Sequence, residues 1–213
     1  GLGATIIMPD DTPMPIQGSV AALAFKNPDI NLDMVSGTIK EAGALMKAKY
    51  LPQGFFNVAT FQEPGWRIEG KKTMGLELAE PNLMSQHWQL PDVILYPTGG
   101  GTGILGMWKA FDELQALGMI DAHRPRVVAV QSAATPPVAE AIAQDRFEPE
   151  PTEAGQTLAV GLNVAGGVGH FKVVEIVRQS GGTAITINEA DIAASLSAVW
   201  QAKGWWICPE GAA

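Results

Sequence analysis

The chain has 213 residues, 46% hydrophobic and 17% charged, with 14 basic against 22 acidic side chains and a formal net charge of −8. These are the proportions of an ordinary soluble globular protein, and the acidic balance disfavours nucleic acid and anionic membrane surfaces as partners. A single cysteine excludes an internal disulfide and a multi-cysteine metal site, and no apolar run is long enough to span a bilayer.

The elements follow in chain order. Ala4 to Met8 is predicted as a strand closed by Pro9. Asp10-Asp11-Thr12-Pro13 is a turn that starts a helix toward Phe25. Asn31 to Val35 is a second strand, and Thr38 to Ala48 an amphipathic helix with Ile39, Ala42, Leu45 and Met46 inward. Phe55 to Val58 is a third strand. Thr60 to Gly70 is polar and irregular, and a boundary between two α/β layers falls near Thr60 to Arg67. Glu69 to Ala79 is a helix with Thr73, Leu76 and Ala79 or Glu80 inward; Pro81 to Trp88 is a loop.

Val93-Ile94-Leu95-Tyr96-Pro97 is a short, apolar, buried strand. It runs into Thr98-Gly99-Gly100-Gly101-Thr102-Gly103, and then into a helix to Leu117 with Ile104, Trp108, Phe111 and Leu114 on one face. Val127 to Gln131 is a strand, Pro136 to Gln144 a helix, and Asp145 to Gly155 a surface loop. Ala159 to Gly169 is glycine-rich and apolar and shows no assignable period. Phe171 to Ser180 is a helix stopped by Gly181-Gly182, and Thr183 to Ile187 a strand. Asn188 caps a helix that runs to Lys203 and ends at Gly204. Trp205 to Cys208 is a last strand, which puts the Cys208 thiol in the core. The alternation predicts an α/β fold of open parallel sheets flanked by helices. The histidines, His87, His123 and His170, lack metal-ligand spacing and are expected at the surface or as caps; no metal site is assigned. No signal-peptide pattern opens the chain, so the cytoplasm is the expected compartment.

The glycine loop carries the chemistry. A glycine-rich turn at a helix N-terminus leaves backbone N–H groups free, lets a ligand approach the main chain, and adds the positive end of the helix dipole. Gly99, Gly100, Gly101, Thr102 and Gly103 are therefore the candidate phosphate cradle. Gly101, Gly103 and Gly106 also spell a dinucleotide fingerprint, but the next strand ends in Gln131-Ser132 with no carboxylate for a ribose. No Gly-Lys-Ser/Thr follows, which excludes a Walker loop. A compact phosphate ester such as pyridoxal phosphate remains.

Five segments in order give the chain a resemblance. They are Met8-Pro9-Asp10-Asp11-Thr12-Pro13, Arg67-Ile68-Glu69-Gly70-Lys71-Lys72-Thr73, Leu95 to Gly103, Ser180-Gly181-Gly182-Thr183-Ala184, and Pro209-Glu210-Gly211-Ala212-Ala213. Together the chain resembles the threonine synthase family of pyridoxal-phosphate enzymes, in the tryptophan-synthase-β-like fold, over nearly its whole length. The resemblance implies that residues 1–62 are the remnant of a small α/β domain and 63–213 the large domain with the phosphate loop. It implies pyridoxal 5′-phosphate as cofactor, held as a Schiff base on a lysine, and a lyase reaction of O-phosphohomoserine and water to threonine and phosphate. The substrate is then a phosphorylated amino acid, and a homodimer is one assembly the resemblance allows.

The family's lysine lies upstream of the segment matching Met8 to Pro13, in a Ser-x-Lys-Asp context. No lysine here precedes Lys26, and Lys26, Lys71 and Lys72 stand in other motifs. The expectation is a partial fold, a fragment that keeps the phosphate cradle, offers no catalytic residue and is inactive alone. The abrupt ends, a strand from Ala4 and a stop at Ala213, point the same way. Arg67 is assigned to the substrate phosphate, since a guanidinium pairs well with phosphate oxygens. Thr60 is assigned to add a hydroxyl, and Glu210 belongs to a segment that lies near the active site in the family. A threonine dehydratase-like enzyme and a non-catalytic phosphate-ester-binding module remain as alternatives.

Overall fold

The computed structural model describes residues 2–37, 39–59, 65–83 and 85–213. The chain divides into two compact units, Gly1–Val58 and Ala59–Ala213.

In the first unit β1 (Ala4–Pro9) and β2 (Ile30–Val35) pair in parallel, with Ala4 opposite Ile30 and Pro9 opposite Val35. The helix between them, α1 (Met14–Lys26), is the crossover that a parallel pair needs. Pro15 sits in its first turn, where a missing N–H is no loss, and Gly18 does not interrupt it. Next, α2 (Ile39–Leu45) continues into a widened turn at Met46–Tyr50 and a tight one at Leu51–Gln53, which Gly54 ends with φ 84°. The predicted start of this helix, Thr38, lies outside the described residues. Ala42 faces inward as its spacing predicts, but Ile39 is 74% exposed. Phe55 to Val58 forms no strand. Instead the Phe55 N–H bonds back to the Tyr50 carbonyl, and its ring meets the Tyr50 ring edge-on at 5.2 Å.

The second unit holds a parallel sheet in the order β3 (Val93–Pro97), β4 (Arg126–Ser132), β5 (Thr183–Ile187). Val93 lies opposite Arg126, and Val128 opposite Thr183. β4 is the middle strand and its second half is buried through Ser132, so it reads as a continuous apolar run rather than an alternation. The core is filled by Ile104, Phe111 and Leu114 of α4 (Thr102–Ala116) and by Val173, Val174 and Val177 of α6 (His170–Gln179). Each such side chain contributes about 1.5–3 kcal/mol by leaving water. The short α5 (Pro137–Ala143) adds Val138 and Ala141. After β5, the Asn188 side chain accepts the Asp191 N–H at 3.0 Å and caps α7 (Glu189–Lys203). A smaller core of Ala159, Leu162, Ile192 and Ala212 joins α7 to α8 (Pro209–Ala212).

One helix reading and one strand reading need correction. α3 (Trp66–Ala79) begins three residues earlier than predicted, after Gly65 at φ 84°. Its buried residues are Gly75 and Ala79, while Thr73 and Leu76 are exposed. The reason is that α3 packs on α4 through glycine. A Cβ on Gly75 would lie 2.8 Å from the Ala110 Cβ and 2.9 Å from the Met107 Cα, and one on Gly106 would lie 2.5 Å from the Lys71 Cβ. A contact made of glycines leaves no hydrophobic stripe to read. Likewise Trp205 to Cys208 is not a strand. Trp206 meets Trp200 edge-on at 5.8 Å, and Cys208 is exposed, its carbonyl receiving the Gly211 and Ala212 N–H groups at the start of α8.

Candidate phosphate site

The loop between β3 and α4 leaves the sheet at the carboxyl end of β3, the end where ligands bind in open parallel sheets. Thr98 is fully buried and anchors it. Its N–H donates to the Val130 carbonyl at 2.7 Å and its hydroxyl to the Tyr96 carbonyl at 2.7 Å. Gly101 then takes φ 83° as the residue before α4. The first helical N–H with a partner in the turn is that of Leu105, which reaches Gly101 O at 3.1 Å. The N–H groups of Gly99, Gly100, Gly101, Thr102 and Gly103 donate to no described residue. Gly100 and Thr102 are half-buried, so the loop meets solvent there. Five backbone donors at the positive end of a fifteen-residue helix, with no acidic side chain among them, fit an anion.

Three of the glycines are fixed by close approach on the protein side. A Cβ on Gly99 would overlap the Gly161 carbonyl oxygen, one on Gly101 the Val173 side chain, and one on Gly103 the Tyr96 hydroxyl. Burial pushes the Tyr96 phenol above its ordinary range, so it stays neutral beneath the helix start.

Behind the loop sits Gln131, fully buried where a dinucleotide enzyme would carry its ribose carboxylate. Its Nε2 donates to the Thr98 carbonyl at 3.2 Å, and its Oε1 accepts the Val138 and Ala139 N–H groups at 2.8 and 3.1 Å. Both ends of the amide are therefore used within the protein, tying β4 and α5 to the loop.

The segment from Gly155 to Gly169, which from Ala159 onward shows no assignable period, is the second wall of the loop. Its partners are scattered along the chain. Thr135 Oγ1 donates to Asn163 Oδ1 at 2.6 Å, and Asn163 Nδ2 donates to the Gly155 carbonyl at 2.9 Å. Glu189 Oε2 accepts the Leu158 N–H at 2.7 Å, and that bond holds its carboxyl below the ordinary range. Glu210 Oε1 accepts the Gly161 N–H at 2.7 Å, placing Glu210 behind the turn that touches Gly99.

The expectation for His170 is corrected here. It is neither at the surface nor a terminal cap: it is 3% exposed, its Nδ1 accepts the Gly167 N–H at 3.1 Å, and its Nε2 lies 2.8 Å from the Gly99 carbonyl. Desolvation pushes its pKa down, against the bond to Gly99.

Arg67 lies in the first turn of α3, exposed and with no partner among the described residues. The pairing of Lys71 with Gly106 and of Gly75 with Met107 and Ala110 aligns α3 with α4, which puts the Arg67 turn at the loop end of α4. Lys72 forms ion pairs with Glu69 at 2.7 Å and Glu113 at 2.8 Å, and Lys109 with the same two carboxylates, so Lys72 is engaged in joining α3 to α4. Thr60 lies outside the described residues. Among the described residues no three His, Cys, Asp or Glu side chains gather to hold a metal, and no helix is long and apolar enough to cross a membrane.

Comparison with known proteins bears on this geometry. A family model described as pyridoxal-phosphate dependent enzyme matches residues 1–213. The threonine synthase of Methanosarcina acetivorans is 29% identical over 148 residues, 70% of this chain and 35% of that protein. That of Methanocaldococcus jannaschii is 26% identical over 147 residues, 69% of this chain and 35% of that protein. The chain thus spans about a third of the length of these curated relatives. Among solved structures, the processed form of threonine deaminase isoform 2 from Solanum lycopersicum superposes with TM-score 0.70 at 21% identity, covering 99% of this chain and 55% of that one. Maize serine racemase superposes with TM-score 0.72 at 19% identity, covering 99% and 56%. These likenesses establish the α/β fold of parallel sheets and helices.

Proposed function

The chain belongs to the pyridoxal-phosphate dependent enzymes, and from that premise we propose that it carries the phosphate grip of a threonine synthase-type carbon–oxygen lyase, whose reaction takes O-phosphohomoserine and water to threonine and phosphate. Its cofactor is pyridoxal 5′-phosphate, which when bound supplies an electron sink for the substrate's α-carbon. The observation that carries the reading is the loop of five N–H groups from Gly99 to Gly103 at the start of α4, unpaired among the described residues. These donors hold the cofactor phosphate, and the helix dipole strengthens them. Arg67, at the same end of the α3–α4 pair, takes the phosphate of a phosphorylated amino acid. In this reading residues 1–62 belong to the small domain and 63–213 to the large one. On the same reading the protein works in the cytoplasm, and a homodimer is one assembly open to it.

None of the lysines in these 213 residues stands in the context that resembles the family's Schiff-base lysine. The reading therefore gives these residues binding and not turnover. Titration with pyridoxal phosphate, followed by tryptophan fluorescence, is expected to show saturable binding that inorganic phosphate competes away. Gly100→Val is expected to weaken it at least tenfold by filling the approach to the main chain. Unchanged affinity in that variant overturns the cradle. Borohydride reduction with pyridoxal phosphate is expected to label no single lysine. One labelled lysine together with phosphate release from O-phosphohomoserine would show a complete enzyme. The reaction class is tested on the protein from its native source: phosphate from O-phosphohomoserine is expected, and 2-oxobutyrate from threonine in its place identifies a dehydratase.

A further inference from the structure

We infer that His170 is a positioning residue for the phosphate grip: by holding the Gly99 carbonyl it fixes the Gly99–Gly100 peptide so that the Gly100 N–H faces the bound phosphate. This rests on the cradle reading above and assigns its orientation to a residue outside the loop.

The argument starts from the ring's two nitrogens. The Gly167 N–H is a donor, so His170 Nδ1, which it meets at 3.1 Å, carries a lone pair. The proton of the neutral ring is then on Nε2, and Nε2–H donates to the Gly99 carbonyl at 2.8 Å. The ring is 3% exposed, so no water competes for that carbonyl from its side. A trans peptide is planar, with its C=O and N–H pointing in opposite directions. Fixing Gly99 C=O toward His170 therefore aims Gly100 N–H away from the core. Gly100 is half-buried there while Gly99 and Gly101 on either side are buried.

Without the His170 donor nothing favours that orientation. The peptide is flanked by two glycines, and Gly99 and Gly100 tolerate either sign of φ. A flipped peptide would present the Gly99 carbonyl oxygen to the anion in place of an N–H, exchanging attraction for repulsion. The ring itself is locked. A Cβ on Gly167 would overlap the imidazole at Nε2, so the ring lies directly against that residue. Gly161 O closes the other side of Gly99. The segment 161–170 thus grips Gly99 from two directions, and His170 supplies the directional bond.

The test uses inorganic phosphate and pyridoxal phosphate as probes. His170→Asn keeps an acceptor near the Nδ1 position but does not reach Gly99. His170→Gln places an amide donor near the Nε2 position. The Asn variant is expected to bind both probes about tenfold more weakly, and the Gln variant to stay within about threefold of the parent chain. Heat unfolding of each variant verifies that it is folded. In the parent chain, a phosphate titration followed by amide NMR is expected to move the Gly100 resonance together with those of Thr102 and Gly103. A folded Asn variant that binds phosphate like the parent overturns the inference. So does a titration that moves Thr102 and Gly103 and leaves Gly100 unchanged, and this second result needs no variant. A parent chain that binds neither probe instead removes the cradle reading on which the inference stands.

Discussion

Gly101 shows how much a single residue carries at this site. Its φ of 83° costs a non-glycine residue about 1–2 kcal/mol, and a Cβ there overlaps Val173, which is fully buried. Overpacking of that kind costs about 1–3 kcal/mol more. Gly101→Ala is therefore expected to destabilise the chain by about 2–5 kcal/mol in urea unfolding; a loss under 1 kcal/mol would mean that the loop relaxes freely. His170 gives a pH signature. Its pKa is pushed below the ordinary 6.5 by burial, so as pH falls through 6.5 the unfolded chain takes up a proton that the folded chain does not. Stability is expected to fall with pH below that value, by up to about 1.4 kcal/mol per pH unit, until the folded ring itself protonates. His170→Gln should remove that part of the slope, read from urea midpoints between pH 7 and 5. Identical slopes in both proteins would show that the ring titrates alike folded and unfolded.

At the scale of elements, the sequence was most legible where apolar side chains repeat. The strand at Val93–Pro97, the helix face of Ile104, Phe111 and Leu114, and the cap at Asn188 lie where their patterns predict, but the strand is not buried as expected: at the edge of the described sheet it buries Ile94 and leaves Leu95 64% exposed. The glycine loop was legible because glycines crowd a strand-to-helix turn. The inward face of α3 was not, because its contact with α4 runs through Gly75 and Gly106, and a missing side chain has no hydropathy. Residues 159–169 were silent because their bonds go to Thr135 and Glu210, partners tens of residues away. His170 was missed for the same reason: its acceptor, Gly99, lies 71 positions earlier. α3 offers a paired test of this account. Gly70 has open space around it, so Gly70→Ala is expected to gain up to about 1 kcal/mol from helix propensity. Gly75→Leu, facing Met107 and Ala110 at 2.8–3.0 Å, is expected to lose about 1–3 kcal/mol or more by overpacking. Equal effects of the two changes would remove the glycine contact as the α3–α4 joint.

For the whole molecule, the unequal distribution of the core sets how the chain unfolds. In Gly1–Val58 the buried apolar residues among those described are Met8, Pro9, Ala42 and Tyr50, around a two-stranded sheet and an α1 with no buried residue. The remainder of the described core, including Phe111, Ile104 and the valines of α6, lies in Ala59–Ala213. A two-stranded sheet is marginal by itself, and a unit of this size buries too small a fraction of its surface to offset the entropy of ordering the chain. The Lys49–Asp33 pair at 2.8 Å, joined by the Tyr50 hydroxyl, is solvent-screened and adds little. Hydrogen exchange is therefore expected to show low protection throughout Gly1–Val58 and the highest protection in β4 and α4. Expressed separately, Ala59–Ala213 is expected to unfold cooperatively, and Gly1–Val58 to show no cooperative transition. A cooperative transition in the isolated first unit, or protection there equal to that of β4, would show that its small core suffices.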